Sequence, residues 1–256
     1  MDTEKTVNVK VALVTGAAAG IGAAISRRLA RDGIAIGVLD VLLDAATKVA
    51  NEIVAAGGKA IALQADISNR EQVKAAAAKL RSAFGPINIL VNNAGITGFT
   101  PFEELTDGQW DKMFEVNVKG TFIVTQVVLP DLKAAGWGRI VNISSSSAQS
   151  GAVGMAHYSA SKGAIIALTK TLARELGPLG ITCNNIPPRF IMNTVMSEKA
   201  FGQTSKSKER EEFIKAGPIP RQGEPEDIAG ACAWLVSEES GYVTGQTIGV
   251  NGGRYI

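Results

Sequence analysis

Short runs of β-branched and aliphatic residues alternate with helical patterns along most of this chain, and that alternation constrains its fold more than any other feature. The runs VKVALVTG (9–16), IAIGVLD (34–40), KAIALQAD (59–66), NILVNNAG (88–95), RIVNISS (139–145) and GITCNNI (180–186) read as strands. Each is short and built around β-branched or aliphatic residues, the pattern of a strand buried on both faces of a parallel sheet. Between them, Ile21, Ile25 and Leu29 mark one face of a helix, and a second helix over 43–58 is stopped by Gly57 and Gly58. Val73, Ala77, Leu80 and Phe84 mark a third, a long helix runs from about Asp107 to Ala135, another starts near 156, and the last lies near 225–237. Repeated strand–helix–strand units join parallel strands by crossovers and place helices on both faces. The expectation is one α/β domain over 1–256, doubly wound, because no repeat, low-complexity tract or Pro/Ser linker divides the chain. In such sheets ligands bind beyond the carboxyl ends of the strands.

Bulk properties exclude several function classes. With 46% hydrophobic and 20% charged residues the chain has ordinary globular usage. A net charge of +2 from scattered basic residues leaves no electrostatic footprint for nucleic acid or an anionic membrane. The lead MDTEKTVNVK is polar, unlike a secretion signal, and no apolar run reaches the ~18–20 residues that span a bilayer. Cys183 and Cys232 form no C-x-x-C pair, and a single histidine, His157, argues against a conventional zinc site. The expectation is a cytoplasmic protein with two packing thiols and no metal.

TGAAAGIG (15–22) closes the first strand and opens the first helix. Glycines at 16, 20 and 22 remove Cβ atoms where a backbone turns sharply and approaches a pyrophosphate. The helix N-terminus offers N–H groups and a positive dipole end to that anion. Strand, turn and helix come in the order a dinucleotide site requires. Asp40 ends the second strand, 18 residues beyond Gly22. A carboxylate there accepts hydrogen bonds from the adenosine ribose hydroxyls and repels a 2′-phosphate. No Arg or Lys stands inside TGAAAG or directly after Asp40, so NAD(H) is expected in preference to NADP(H).

The segment AHYSASKGAII (156–166) puts Tyr158 and Lys162 four residues apart, on one face of a helix. Alone, such a pair is equally an ordinary half-exposed helix face. Taken with TGAAAGIG, NNAG (92–95), NISS (142–145), YSASK (158–162) and VNGG (250–253), in this order, it resembles the short-chain dehydrogenases/reductases over nearly the whole chain. The resemblance implies a Rossmann-type domain with a parallel sheet of about seven strands, and a homotetramer. It implies Tyr158 as general acid/base, Lys162 as its partner, Ser145 as the hydroxyl that orients a carbonyl, and Asn117 as a fourth member that supports a water leading from Lys162 to solvent. It also implies cofactor contacts from Gly16, Ala19, Gly20, Ile21, Gly22 and Asp40. Asp66 and Ile67 would flank the adenine, Asn93, Ala94 and Gly95 would pass under the ribose, and Pro188 and Ile191 would meet the nicotinamide end.

The chemistry supports those roles independently. Reducing a ketone with hydride requires a proton for the nascent alkoxide, and a free tyrosine with pKa ~10 is a poor base near neutrality. An ammonium within ~4–6 Å favours the phenolate, so Lys162 is expected to lower the pKa of Tyr158. A hydroxyl at Ser145 can donate to the substrate oxygen as charge grows there. Of the run at 144–147, family spacing selects Ser145, thirteen residues before Tyr158, and leaves Ser147 to turn hydrogen bonding. His157 points to a different helix face and is expected to be structural.

The pattern breaks after the sixth strand. NNIPPRFIMNT has Arg189 where the family carries Gly, and Asn193 where it carries Thr, with Thr194 one position later. Three readings stand: an altered loop with Arg189 in solvent, recruitment of an anionic group on substrate or cofactor, or a substitution that weakens cofactor binding. The segment 192–216 has the length of a substrate lid. Its Met192, Val195, Met196 and Phe201, with Phe99, Val153 and Met155, suggest an apolar pocket. The function expected is hydride transfer between NAD(H) and a secondary alcohol/ketone pair, with no nucleic-acid or membrane partner. The rivals are a 3-oxoacyl carrier-protein reductase and an NAD(H)-sensing protein without chemistry, although such sensors generally lose the Tyr-Lys pair. Epimerases and dehydratases on related folds are more distant alternatives.

Overall fold

A computed structural model describes residues 10–189, 191, 212 and 214–255. Six parallel strands form its sheet: β1 (Val11–Thr15), β2 (Ala35–Asp40), β3 (Ala60–Gln64), β4 (Ile89–Asn92), β5 (Gly138–Ile143) and β6 (Ile181–Ile186). Their order is β3-β2-β1-β4-β5-β6. The chain winds outward from β1 to β3, then returns to lay β4 on the other side of β1, so the strand order reverses between β1 and β4. Connections diverge there and leave a crevice at the carboxyl ends. Residues 245–250 run beside β6 in isolated parallel bridges rather than as a named strand, tied by Gly245 N to Cys183 O at 2.8 Å and Ile248 N to Asn185 O at 2.8 Å.

Helices cover both faces: α1 (Gly20–Arg31), α2 (Leu43–Ala55), α3 (Arg70–Phe84), α4 (Asp107–Phe114), α5 (Gly120–Ala135), the single turn α6 (Ser147–Ser150), α7 (Ala156–Leu176) and α8 (Pro225–Leu235). Successive strand residues alternate between two cores, because side chains leave a strand on opposite faces. Val14, Val91 and Val141 enter the core beneath α1, α2 and α8, while Leu13, Leu90 and Ile140 enter the other, beneath α3, α5 and α7. Each such fully buried side chain contributes about 1.5–3 kcal/mol. Among the described residues, no helix is long and apolar enough to cross a membrane.

The helix expected over Asp107–Ala135 is not uniform. A π turn, Glu115–Lys119, separates α4 from α5. The wider turn carries Asn117 inward, to 1% exposure. Periodicity does not reveal this insertion, since the apolar pattern continues through it. The 192–216 segment lies largely outside the described residues, and with it Met192, Asn193, Thr194, Val195, Met196 and Phe201.

Candidate active site

At the reversal point the first turn and the end of β4 are sewn together. Thr15 Oγ1 accepts from the backbone N–H groups of Asn93 and Ala94, each at 3.0 Å, and Asn93 Nδ2 donates to the carbonyls of Thr15 and Gly16, each at 3.0 Å. Gly16 and Gly20 have φ of 62° and 52°, the left-handed region that a side chain disfavours. A Cβ on Gly22 would collide with the Gly16 carbonyl, so the turn closes only on glycine.

This turn presents the start of α1 in a state that fits a diphosphate. Ala19 at the N-cap makes no side-chain hydrogen bond, and the first turn holds no acidic residue. By contrast, α3 is capped by Asn69 and α4 by a Thr106–Gln109 box. An exposed, uncapped N-terminus beside three glycines is a ready anion site. Asp40 stands at its rim: one oxygen accepts from Ala18 N at 3.1 Å and the other from Leu42 N at 3.1 Å. Both oxygens are thereby oriented, and Val41, Leu42 and Leu43 bring no positive charge.

Asp66 and Ile67 follow β3 on the same edge. Asp66 Oδ1 accepts from Ser68 N at 2.8 Å and Ser68 Oγ at 2.7 Å, which holds its carboxyl below the usual range. The Ile67 side chain is 6% exposed and packs in the core against Gly120, so its main chain is what remains for a ligand.

Tyr158 and Lys162 sit one turn apart on α7, as the spacing requires. Tyr158 is 6% exposed and Lys162 4%. Lys162 Nζ lies 5.9 Å from the centre of the Tyr158 ring and donates to the Ile143 carbonyl at 2.9 Å. Ser145, just beyond β5, hydrogen-bonds Tyr158. It also accepts from Ser147 N at 3.2 Å and Ser147 Oγ at 2.9 Å, so Ser147 orients Ser145. Burial pushes the Tyr158 hydroxyl above the ordinary phenol value, against the lowering effect of the Ser145 bond. The expected lowering by Lys162 is not what sets the Tyr158 hydroxyl, whose shift is upward and comes from burial, and burial also brings the Lys162 ammonium down to about 8.

Asn117 reaches the same place from the π turn. Its Oδ1 accepts from Ile96 N at 2.8 Å, while Nδ2 donates to Ile96 O and to Ser161 Oγ, both at 3.0 Å. The amide thus joins the loop after β4 to α7. A Cβ on Gly95 would lie 2.9 Å from Asn117 Oδ1 and 3.3 Å from Lys162 Nζ, so only glycine lets the loop pass. Ser161 and Thr15 are structural members that sequence reading missed; the Thr in TGAAAGIG was the available signal.

Ser146 N donates to the Pro188 carbonyl at 3.1 Å, which brings the loop after β6 alongside. Ile191 is 9% exposed and bridges to Gly223. Arg189 is half-buried, with Nη1 donating to Ser150 Oγ at 3.0 Å. His157 is buried at 3% exposure against Gly98, a packing role as expected. Phe99 and Val153 stand exposed on adjoining loops, joined by Thr100 N to Gly154 O at 2.8 Å.

A family model described as short chain dehydrogenase matches residues 10–205. Nodulation protein G of Azospirillum brasilense is 40% identical over 95% of this chain and 97% of its own length. The (3R)-3-hydroxyacyl-CoA dehydrogenase of Canis lupus familiaris is 39% identical over 96% of each chain. A 3-oxoacyl-[acyl-carrier-protein] reductase of Staphylococcus epidermidis is 39% identical over 96% of this chain and 99% of its own. Matches of this extent run from the glycine turn through the Tyr158–Lys162 helix, and this chain belongs to the short-chain dehydrogenase family of nicotinamide-dependent oxidoreductases.

Proposed function

We propose that this protein interconverts a secondary alcohol and a ketone with NAD(H), with Tyr158 as general acid/base. The observation behind this reading is the buried Tyr158 hydroxyl, hydrogen-bonded by Ser145 and backed by the Lys162 ammonium, at the sheet edge where the glycine turn lies. The nicotinamide, when bound, supplies the hydride for reduction and takes it up in oxidation. In reduction, the substrate oxygen accepts hydrogen bonds from the Ser145 and Tyr158 hydroxyls. Burial keeps Tyr158 protonated until negative charge develops on that oxygen, and the phenolic proton then passes to it. Lys162 stabilises the phenolate left behind, and Asn117 holds the loop after β4 and α7 in register. In oxidation the proton returns to the phenolate.

Asp40, with two oriented oxygens and no basic side chain bonded to it among the described residues, favours NAD(H). A second reading, reduction of a 3-oxoacyl carrier-protein thioester, draws support from the relatives that bear that name. A sensor without chemistry is disfavoured by the intact Tyr158–Lys162–Ser145 group.

A panel of ketones, secondary alcohols and acyl thioesters, followed by NADH and then NADPH absorbance, separates these readings. Tyr158→Phe is expected to bind NADH like the parent and to lose about 10²–10⁴-fold in turnover. Turnover equal to the parent's removes Tyr158 from the acid/base role.

A further inference from the structure

A serine hydroxyl has one hydrogen to donate and two lone pairs to accept with. At Ser145 a single neighbour takes both lone pairs: Ser147 N donates to Ser145 Oγ at 3.2 Å and Ser147 Oγ donates to it at 2.9 Å. The Ser145 hydrogen is then left for its third contact, the Tyr158 hydroxyl, and for a substrate oxygen placed beside it. The sense of that bond matters. A serine that accepts from Tyr158 favours the neutral phenol, whereas one that donates favours the phenolate. Donation is how the Ser145 bond acts here, since it draws the Tyr158 hydroxyl down against the rise caused by burial. Donation is also what stabilises charge growing on a carbonyl oxygen.

The fold holds Ser147 for this task. It opens α6 and is 9% exposed. Gly151 N closes the turn on the Ser147 carbonyl at 3.0 Å, and Gly151, with φ of 71°, ends it. Two distant segments pin the outer end: the Gln149 carbonyl accepts from the Tyr255 hydroxyl at 3.3 Å, and Ser150 Oγ accepts from Arg189 Nη1 at 3.0 Å. The turn cannot swing its first N–H away from Ser145 without breaking contacts to the C-terminal turn and to the loop after β6. Among the described residues, Lys162 of α7 is the cation beside the Tyr158 ring, while Ser145, Ser147 and Asn117 add no charge and His157 packs away against Gly98.

We propose that Ser147 is a positioning residue of the reaction: its hydroxyl and N–H fill the acceptor sites of Ser145 and commit the Ser145 hydrogen to Tyr158 and the substrate oxygen. The proposal rests on the oxidoreductase reading and deepens it. Ser147 then has a part in proton transfer, where the sequence suggested only a turn hydrogen bond.

Two readouts test it, one of them independent of turnover. Tyr158 is one of three tyrosines, so the phenolate absorbance of the parent minus that of Tyr158→Phe isolates its titration. In Ser147→Ala an emptied lone pair on Ser145 can accept from Tyr158, and the Tyr158 midpoint is expected to rise by about one pH unit, the size of one hydrogen bond. With NADH and 3-oxobutanoyl-N-acetylcysteamine, kcat is expected to fall about 10-fold while KM for NADH stays near the parent's. Ser147→Thr, which keeps the hydroxyl, is expected to restore both. In a Ser145→Ala background, Ser147→Ala is expected to change neither, because its effect runs through Ser145. Should Ser147→Ala fail to fold, Ser147→Cys replaces it, since a thiol donates weakly. Equal Tyr158 midpoints in the parent and the variant overturn the proposal and leave the oxidoreductase reading standing. So does an undiminished loss of kcat in the Ser145→Ala background, which marks Ser147 as a support of the turn alone. A parent that turns over no ketone, secondary alcohol or acyl thioester overturns the oxidoreductase reading, and with it the part of Ser147 in proton transfer, whatever the titration shows.

Discussion

Lys162 shows how far a single residue here is bent towards chemistry at the expense of stability. It is 4% exposed, its ammonium donates to the Ile143 carbonyl, and burial lowers its pKa to about 8. In the unfolded chain the same amine titrates near ~10.4. Below pH 8 both states carry the proton and the folded state bears the full penalty of a buried charge. Between about 8 and ~10.4 the unfolded state binds more protons, so this contribution to stability improves as pH rises. The gap corresponds to an upper bound of about 3 kcal/mol. Lys162→Met should abolish that gain: denaturant unfolding at pH 7 and pH 10 is expected to show the variant's advantage over the parent shrinking with pH, while its turnover falls. A stability difference that ignores pH would mean the amine is not desolvated. Asp40 is a simpler case, because Ala18 N and Leu42 N orient its two oxygens at the end of β2 and no basic side chain is bonded to it among the described residues. Asp40→Ser should raise the NADPH to NADH ratio of kcat/KM by about 10-fold or more, since like charges brought together cost several kcal/mol. An unchanged ratio removes Asp40 from cofactor selection.

At the scale of elements, the paired strands and helices read directly from the chain because period and composition record burial. The π turn did not. Its sequence, EVNVK, keeps apolar residues at helical intervals, and the reason for the extra residue lies in what packs against it. Gly120 follows immediately, and a Cβ there would lie 2.6 Å from Ile67 Cδ1. Two effects oppose each other at this site. Alanine is favoured over glycine in a helix by about 0.8–1.0 kcal/mol, whereas overpacking a tight core contact costs about 1–3 kcal/mol. The clash should win, so Gly120→Ala is expected to lower the unfolding midpoint and, by shifting Ile67, to raise KM for the cofactor more than it lowers kcat. A stabilised variant with normal cofactor affinity would show that Ile67 yields freely. The catalytic candidates were legible for a different reason: Tyr158, Lys162 and Ser145 belong to motifs whose spacing is set by α7 and β5. Thr15 and Ser161 were not, because each acts by touching a distant segment, at Asn93 and Asn117 respectively. Arg189 was flagged as a departure, but only the fold shows it sharing a cavity with Arg221 and Arg254.

For the whole molecule, strand alternation implied a parallel sheet, but the order β3-β2-β1-β4-β5-β6 follows from where crossovers land, which strand spacing alone does not encode. Surface pattern is equally a property of the assembled fold. One broad groove on α4 and α5 is lined by Phe114, Val118 and Phe122, with Asp111 and Glu115 beside Lys112 and Lys119. Trp110 stacks on Phe114 with ring centres 5.0 Å apart, and Phe122 is 46% exposed. Apolar area gathered on one helical face is more often covered than left in water. Mixed charge along its borders suits a two-fold contact, in which each acidic patch meets the basic patch of an identical face. We propose the homotetramer implied by the family resemblance as the assembly that covers this groove. Phe122→Glu would bring a carboxylate to the centre of such a contact, where an unpaired buried charge is costly. Sedimentation should find the parent as a tetramer and the variant as smaller species, with the far-ultraviolet spectrum of the fold retained. A variant of the same mass as the parent would place the subunit contacts on some other face, and a monomeric parent would dismiss the tetramer itself.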